Sequence, residues 1–275
     1  MLKKSVNVTV ILCCLAFLAP SVSSSVGKSL VAHWKFDVGK GDSIKDSSAN
    51  GIEGKIAGKV KWVEGKHGTA VEFDDDGSGI IKVDTNDKLN FGDDFSVLFW
   101  AKTTQVQAKN DYSDWWMGGW IINKDLGGQT DVNDWDIANV NGHLVFVTGN
   151  PETDKDDLLV STDPIDDGKW HHYALSRVKK SGLNTLYVDG VKNISEEKGP
   201  GFHVSNQTAM TIGGHPGGAA HALAGALDDM AIFTKVLTAD EIQSAMKSGV
   251  NQPGSTAVKQ NGKLAIIWGQ LRTNF

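Results

Sequence analysis

Short runs of apolar residues, many of them alternating with polar ones, recur along the chain and predict β-strands. The clearest case is Trp170–Gly190, where two apolar runs flank a polar turn at Lys179–Asn184. Asp189 and Gly190 then form a dipeptide that is typical of tight hairpin turns. The two runs carry apolar residues on both faces, which is typical of strands covered on both sides. This stretch therefore predicts a hairpin inside a sandwich of two sheets.

Other runs predict the remaining strands of this sandwich. Ser29–Asp37 alternates, so we expect its even-numbered residues to face the core and the others, His33 among them, to face away from it. Phe95–Lys102 is apolar on both faces, as a central strand should be. Asn141 and Gly142 predict a hairpin turn. Further strands are predicted at Ala70–Phe73, Ile80–Val83, Trp120–Asn123, Asp136–Val140, His143–Val147, Met210–Gly213 and Ala226–Phe233.

One helix is predicted after the last strand. Thr238 is a favourable N-cap residue, and Glu241 follows at the spacing of a capping box. Ile242 and Met246 lie on one apolar face, and Gly249 ends the helix. Many short strands, Gly-rich turns and a single helix together predict an all-β fold, a two-sheet antiparallel sandwich with one short C-terminal helix.

The first 25 residues predict a secretory signal peptide. Lys3 and Lys4 precede an apolar run at Val8–Ala19, which is too short to span a bilayer, and small residues follow at Ser21–Ser25. We therefore expect a secreted protein, extracellular or periplasmic. The sandwich is expected at 28–249, and 250–275 is expected to be a C-terminal tail.

The cysteine content and the net charge exclude several kinds of chemistry and of binding partner. Both cysteines, Cys13 and Cys14, lie in the predicted signal peptide, so the mature chain would have neither a disulfide nor a thiol nucleophile. Removing Lys3 and Lys4 changes the formal net charge from −6 to −8. An acidic chain without a basic patch is not expected to bind nucleic acid. No later segment is apolar enough for membrane insertion.

Several of these segments resemble one family. WHHYALSR followed by TLYVDG resembles the central hairpin of laminin-G-like jelly-roll domains, in the concanavalin A-like lectin and glucanase superfamily. LVAHWKFD resembles its opening strand, KDSSANGIEG its following loop, FSVLFWAK its Trp-bearing strand, and GALDDMAIFTKVLTADE its closing strand and helix cap. The resemblance implies a jelly roll over roughly 28–249. It leaves function open, since this fold hosts lectins, adhesion modules and glycosidases.

The resemblance also implies a calcium ion. The family often binds calcium where the loop after the first strand meets the closing strand, and the matching residues are Asp46, Asn50 and Asp228. Asp37 is a fourth candidate, and Asp229 replaces Asp228 if the strand turns its other face inward. Oxygen ligands of this kind suit a hard cation. The alternative is that Asp46 and Asn50 are turn residues that bond their own backbone.

A tryptophan-rich segment is the candidate ligand-binding surface. Trp115, Trp116 and Trp120 lie between a polar run and a predicted strand. Flat aromatic rings stack on the apolar faces of sugars while their polar edges stay hydrated. We expect Asn133 and Trp135 to extend this surface. The alternative is a segment that folds down over the sandwich as a satellite cluster.

Asp134 and Asp136 raise the question of glycoside hydrolysis. Residues two apart on a strand are about 6.5–7 Å apart, whereas the carboxyl groups of retaining glycosidases are about 5–5.5 Å apart. Laminarinase-like relatives carry three carboxylates at alternate positions, and the third position here is Ala138. The incomplete triplet favours a non-catalytic protein with both carboxylates exposed on a strand.

The sequence therefore predicts a secreted, calcium-stabilised, non-catalytic binding module with a glycan as its first-choice ligand. One alternative is a structural or adhesion module that binds an extracellular protein. The other is a glycoside hydrolase of the laminarinase type.

Overall fold

The computed structural model of the protein describes residues 23–106, 112–125, 133–153, 155–204, 208–215 and 221–250. Most of the predicted signal peptide and of the predicted tail lies outside the described residues. Helix α1, Ser23–Ser29, passes directly into the first strand. Among the described residues, no helix has the length and apolar character needed to cross a bilayer.

Within the described residues, two antiparallel sheets of eight strands each form a sandwich, which confirms the predicted fold class. Strands are numbered in chain order. The first sheet contains β1 (Leu30–Trp34), β4 (Lys61–Glu64), β5 (Thr69–Phe73), β7 (Phe95–Thr103), β12 (His171–Val178), β13 (Leu183–Val188), β14 (Val191–Glu197) and β16 (Gly225–Phe233). The second contains β2 (Ser43–Ile44), β3 (Gly54–Gly58), β6 (Gly79–Val83), β8 (Gly119–Asn123), β9 (Trp135–Val140), β10 (His143–Asn150), β11 (Lys155–Pro164) and β15 (Met210–Ile212).

The order of strands explains which of them are apolar on both faces. The first sheet runs β14-β13-β12-β7-β16-β5-β4, with β1 beside β16, and the second runs β11-β10-β9-β8-β15-β6-β3-β2. The predicted hairpin is confirmed as β12 and β13, paired from Tyr173 opposite Val188 to Val178 opposite Leu183. Its strand β12 also pairs with β7 on the other side. Strand β12 is therefore central in its sheet, and its apolar side chains on both faces need cover from outside the sheet.

Three apolar clusters provide that cover. The largest lies between the sheets and includes Trp34, Phe95, Phe99, Trp135 and Phe146. A second lies on the outer face of the first sheet under the C-terminal helix, and a third lies on the outer face of the second sheet. Both sheets therefore bury parts of both faces, and this accounts for strands without strict alternation.

The C-terminal helix α2, Ala239–Ser248, has the predicted cap. The Glu241 N–H donates to Thr238 Oγ1 over 3.3 Å, and the Thr238 N–H donates to Glu241 Oε2 over 2.9 Å. Ile242 is buried against the outer face of the first sheet. The capping box and the apolar face of the helix thus confirm the sequence prediction.

Ala32, Trp34 and Phe36 belong to the core between the sheets, as expected, but the expectation that the other face of β1 is exposed is wrong. All five residues of Leu30–Trp34 are buried, and His33 is 1 % exposed. The imidazole of His33 lies 3.2 Å from Asp229 Oδ1 on the neighbouring strand β16. A polar residue can occupy a buried position when a carboxylate partner is supplied there, and the sequence of β1 alone does not reveal that partner.

Gly213 provides a test of the packing between the sheets. Its φ is +85°, and a Cβ atom there would overlap the ring of Phe73 on the first sheet. Gly41 has almost the same backbone conformation, with φ +84°, but a Cβ atom at that position would meet no other atom within 4 Å.

We expect Gly41→Ala to lower the free energy of unfolding by about 1–2 kcal/mol through backbone strain alone. Gly213→Ala should lower it by about 1–3 kcal/mol more, because the core must also shift. Urea denaturation of both variants measures the difference. Equal losses for the two variants would contradict the packing described here.

Candidate functional site

The outer face of the second sheet carries the candidate site. Along β9, Trp135 and Ile137 point into the core between the sheets, whereas Ala138 and Val140 belong to the outer cluster. Side chains two apart on a strand share a face, so Asp136 and Asp134 are on the same outer face as Ala138. The two carboxylates therefore lie beside the tryptophan cluster.

The segment Tyr112–Met117 folds down over this face as a 3-10 helix. The Trp115 Nε1–H donates to Asp156 Oδ2 over 2.7 Å, and the Trp120 Nε1–H donates to the carbonyl of Trp116 over 3.0 Å. The rings of Trp115 and Trp120 meet edge to face at 5.0 Å. Trp115 and Trp120 thus pack over the sandwich as a satellite cluster, the alternative left open by the sequence. The indole of Trp116 lies outside this cluster.

The predicted ligand-binding residues fall into two groups. Trp115, Trp120 and Trp135 are 5 %, 2 % and 1 % exposed, and Trp135 lies in the main core beside Phe95. Trp116 is 48 % exposed, and Asn133 is half-buried at the start of β9. Trp115 and Trp120 are buried in the outer cluster, and Trp135 points into the main core because side chains alternate along β9. Only Trp116 and Asn133 of the predicted set present surface to solvent.

Three carboxylates meet beside this segment. Asp125, Asp134 and Asp136 each contribute one carboxylate oxygen, and these three oxygens lie within 4.8 Å of one another. Asp134 and Asp136 are 3 % and 0 % exposed, so the expectation that they are exposed is wrong. Asp125 is half-buried, so the cluster is open to solvent on the side of Asp125. These three residues could hold a metal ion.

Asp136 is the most deeply buried member of this carboxylate cluster. Its Oδ1 accepts hydrogen bonds from the Lys124 N–H (2.7 Å) and from Asn123 Nδ2 (3.3 Å). Its Oδ2 is buried and has no hydrogen-bond partner among the described residues. Burial, followed by the charges of Asp134 and Asp125, raises the pKa of Asp136 well above its ordinary value.

Lys124 is the basic residue nearest in the chain. Its Nζ donates to Asn90 Oδ1 (3.2 Å) and to the carbonyl of Thr208 (3.3 Å). Burial lowers the pKa of Lys124 to about 8, and the charge of Asp136 opposes that fall. One ammonium group does not balance three carboxylates.

A fourth carboxylate extends the cluster across the sheet. Asp156 and Asp134 both lie opposite Gly149, on either side of it. Because Gly149 has no side chain, the position between the two carboxylates carries no protein group from β10. Burial raises the pKa of Asp156, and the charge of Asp125 adds to the rise.

The residues of the predicted calcium site occupy two separate places. Both oxygens of Asp46 are used locally: Oδ1 accepts from the N–H groups of His33 and Ser48, and Oδ2 accepts from Ser48 Oγ and the Ile52 N–H. The Asn50 amide donates to the carbonyls of Leu30 and Val31. Asp46 and Asn50 thus have the turn-stabilising role that the sequence left as the alternative.

Asp37 and Asp228 lie at the turn between β4 and β5. Asp37 Oδ1 accepts from the Thr69 N–H (3.2 Å), and Asp228 Oδ2 accepts from the His67 N–H (2.9 Å). Asp228 Oδ1 is buried without a hydrogen-bond partner among the described residues. The described residues contain one three-carboxylate cluster of metal-binding geometry, and none of the four predicted ligands belongs to it.

Asp125 and Asp156 are the members of the site that the sequence does not predict. Asp125 follows β8 and Asp156 lies near the start of β11. They are 31 positions apart, in stretches without a recognisable ligand spacing. Only the pairing of β8, β9, β10 and β11 brings them to one surface.

Asp228 makes the stability of the fold depend on pH. Burial raises the pKa of its carboxyl to about 7, and the charges of Asp229 and Asp37 add to the rise. The folded state therefore holds a proton that the unfolded chain releases near its ordinary pKa of about 3.9. Stability from this group is present below about pH 4 and is lost as the pH rises to about 7.

We expect Asp228→Asn, measured in EDTA, to flatten this part of the pH profile and to raise the free energy of unfolding at pH 8 by at most about 4 kcal/mol. Asparagine keeps an oxygen that can accept from the His67 N–H. The matched control is Asp84→Asn, because Asp84 is 77 % exposed and pairs with Lys55 on the surface. Urea denaturation between pH 4 and 8 measures both. A loss of stability at pH 8 in the Asp228 variant would contradict this assignment.

Two solved structures that match this fold are the binding domains of toxins. The binding domain of Paraclostridial Mosquitocidal Protein 1 matches with a TM-score of 0.64 and 20 % identity, over 81 % of this chain and 53 % of that one. The binding domain of Botulinum neurotoxin DC, solved in complex with rat synaptotagmin II, matches with a TM-score of 0.61 and 16 % identity, over 82 % and 52 %. This chain thus spans about half the length of each.

A third structure matches over nearly its whole length. Domain 4 of AbnA, a GH43 extracellular arabinanase from Geobacillus stearothermophilus, was solved in complex with arabinotriose. It shares a TM-score of 0.55 and 20 % identity over 80 % of this chain and 98 % of that domain. At these identities the likeness shows a common fold. No curated protein sequence matches the chain at a significant level.

The family resemblance found in the sequence is confirmed by a laminin-G-type family model. The model is described as the concanavalin A-like lectin/glucanases superfamily and matches residues 75–243, more than half of the chain. The two eight-stranded antiparallel sheets agree with that assignment. The chain belongs to the concanavalin A-like lectin/glucanase superfamily.

Proposed function

We propose that this protein is a non-catalytic, extracellular binding module whose ligand is a glycan, bound at Trp116 on the outer face of the second sheet. The observation that carries the proposal is the exposure of Trp116. It is 48 % exposed and is the one exposed large aromatic side chain among the described residues. A solvent-facing indole next to polar backbone is suited to stacking on the apolar face of a sugar ring.

Specific contacts support Trp116, which favours a binding role over a chance exposure. Its carbonyl accepts the hydrogen bond from Trp120, and its neighbour Trp115 is held by Asp156. The Trp116 ring also meets the His221 ring edge to face at 5.9 Å. A side chain held in place before the ligand arrives loses little conformational entropy on binding.

Two structural neighbours support a binding role. The AbnA domain was solved with a sugar, arabinotriose, and the neurotoxin domain with a protein, synaptotagmin II. They illustrate that this fold hosts both kinds of ligand. Glycan is preferred here because the exposed group is a single flat ring rather than the extended apolar patch that a protein partner would cover.

The burial of the carboxylates supports a passive role. Asp134 and Asp136 are 3 % and 0 % exposed, and the third position of a laminarinase-type triplet is Ala138. A general acid must reach the glycosidic oxygen within hydrogen-bond distance. Two carboxylates that are themselves buried do not meet that requirement.

Secretion and calcium complete the proposal. The extracellular or periplasmic location rests on the signal peptide predicted at 1–25. Calcium is proposed as the stabilising ion because oxygen ligands occur at two places, the Asp125–Asp134–Asp136 cluster and the pair Asp37 and Asp228.

If a glycan binds at Trp116, removing the Trp116 ring should lower the affinity for that glycan. A glycan array covering plant, algal and bacterial polysaccharides should identify a ligand, and titration calorimetry with its oligosaccharide gives the affinity. Trp116→Ala should weaken that affinity at least about 10-fold, which is the size of effect expected for a central aromatic contact. Trp116→Phe should retain part of it.

Val191→Ala is the matched control, because Val191 is 68 % exposed and lies on β14 of the other sheet. It should leave the glycan affinity unchanged. If the protein binds no glycan on the array, or if Trp116→Ala does not alter the affinity, the glycan assignment is overturned. If it binds no glycan but binds an extracellular protein through Trp116, the adhesion alternative is favoured.

The non-catalytic assignment is tested separately. Incubation of the protein with the polysaccharides that it binds should release no reducing sugar above the buffer control. Release that disappears in Asp136→Asn would show hydrolysis at the carboxylate cluster and would overturn the passive role.

A further inference from the structure

We propose that Asp125, Asp134 and Asp136 bind one calcium ion on the outer face of the second sheet, and that this ion braces the segment that carries Trp116. The ion site stands on its own geometry. Its effect on ligand affinity rests on the proposed glycan function. The proposal also places the ion away from Asp46 and Asn50, the loop residues that the family resemblance indicated.

The geometry of Asp136 is the first argument. Its Oδ1 is oriented by the Lys124 N–H and by the Asn123 amide, while Oδ2 is left buried without a hydrogen-bond partner among the described residues. A fully buried carboxylate oxygen loses its hydration and requires a replacement partner. Asp125 and Asp134 lie within 4.8 Å of the same carboxylate, so a cation between the three would be that partner.

The charge balance is the second argument. Three carboxylates approach each other closely, and Asp156 adds a fourth across Gly149. Lys124 contributes one positive charge, and its ammonium group donates to Asn90 and to the Thr208 carbonyl. A buried cluster with an excess of like charge either holds protons or binds a cation. A divalent cation neutralises two carboxylates and also supplies the partner that Oδ2 lacks.

The ligand chemistry selects calcium. All three side chains offer oxygen, and neither a histidine nor a cysteine belongs to the cluster, which disfavours zinc. Calcium accepts about 6–8 oxygens in irregular arrangements, including backbone carbonyls and water, whereas magnesium requires a near-ideal octahedron. Three carboxylates from the end of one strand and the start of the next form such an irregular set. Asp125 is half-buried, so the cluster has an approach from solvent.

The ion is connected to Trp116 through one carboxylate and one indole. Asp156 accepts the hydrogen bond from Trp115 Nε1 over 2.7 Å. It lies across Gly149 from Asp134, one of the proposed ligands. A cation in the cluster attracts the Asp156 carboxylate, keeps it in position to accept from Trp115 and thereby holds the adjacent Trp116.

The test is direct titration of calcium. The purified protein is stripped of metal with EDTA, dialysed and titrated with CaCl₂ by calorimetry. We expect one calcium ion to bind per chain and the calcium-bound protein to melt at a higher temperature than the stripped protein. Asp136→Asn and Asp134→Asn should each weaken calcium binding at least about 10-fold, as expected for the loss of one charged ligand. Asparagine keeps an oxygen acceptor for the Lys124 N–H and removes one repelling charge, so both variants should melt no lower than the stripped wild-type protein.

Two control variants separate this site from its alternatives. Asp228→Asn should retain the ion, because Asp228 belongs to the other candidate place. Asp84→Asn should retain it as well, because Asp84 is 77 % exposed and pairs with Lys55 on the surface. Absence of calcium binding in the wild type, retention in Asp136→Asn, or loss in Asp228→Asn alone would overturn the proposal. Equal affinity for MgCl₂ would overturn the assignment to calcium.

The link to Trp116 has its own readout. For a glycan that the protein binds, EDTA should weaken the affinity of the wild type at least about 10-fold, the loss expected when a central aromatic contact is no longer held in place, and should leave that of Asp136→Asn unchanged. If EDTA has no effect on the wild type while calorimetry finds the ion, the bracing role is overturned and the site stands. If the array finds no glycan, the calcium titration still decides the site.

Discussion

The register of three neighbouring strands determines where the chemistry of this protein lies. The pairing of β9 with β10 places Asp136 opposite Val147, and the pairing of β10 with β11 places Asp156 opposite Gly149. A shift of one residue would exchange the two faces of β9 and would bury the carboxylates between the sheets. Trp135 and Ile137 hold the register, because each fills the main core while its neighbours face outward.

Backbone groups satisfy the buried charges of this fold only in part. The Arg177 guanidinium is fully buried and donates to the carbonyls of Lys198, Gly199 and Phe202. Its Nε has no hydrogen-bond partner among the described residues, and the same holds for one oxygen each of Asp136 and Asp228, which are as deeply buried. For these two aspartates, burial raises the pKa above its ordinary value, and the charges of neighbouring carboxylates add to the rise.

The sequence predicts much of the fold and little of the site. The hairpin β12–β13, the Asn141-Gly142 turn and the capping box of α2 are local patterns, so they can be recognised without tertiary contacts. Strand β11 is absent from the predicted strands because its ten residues are mostly polar and half-exposed at the end of a sheet. The carboxylate cluster depends on the pairing of four strands, which no single stretch of sequence contains.

The tryptophans show why residue type alone does not locate a binding surface. Four of them share one predicted role, but the structure divides them between the main core, the outer cluster and solvent. Trp115 and Trp120 bury their rings and use their Nε1–H groups to fix Asp156 and the Trp116 carbonyl. Exposure of Trp116 is therefore maintained by the burial of its neighbours. A binding surface on this face therefore depends on the hydrogen bond from Trp115 to Asp156 and on the bond from Trp120 to the Trp116 carbonyl, which hold the segment against the second sheet.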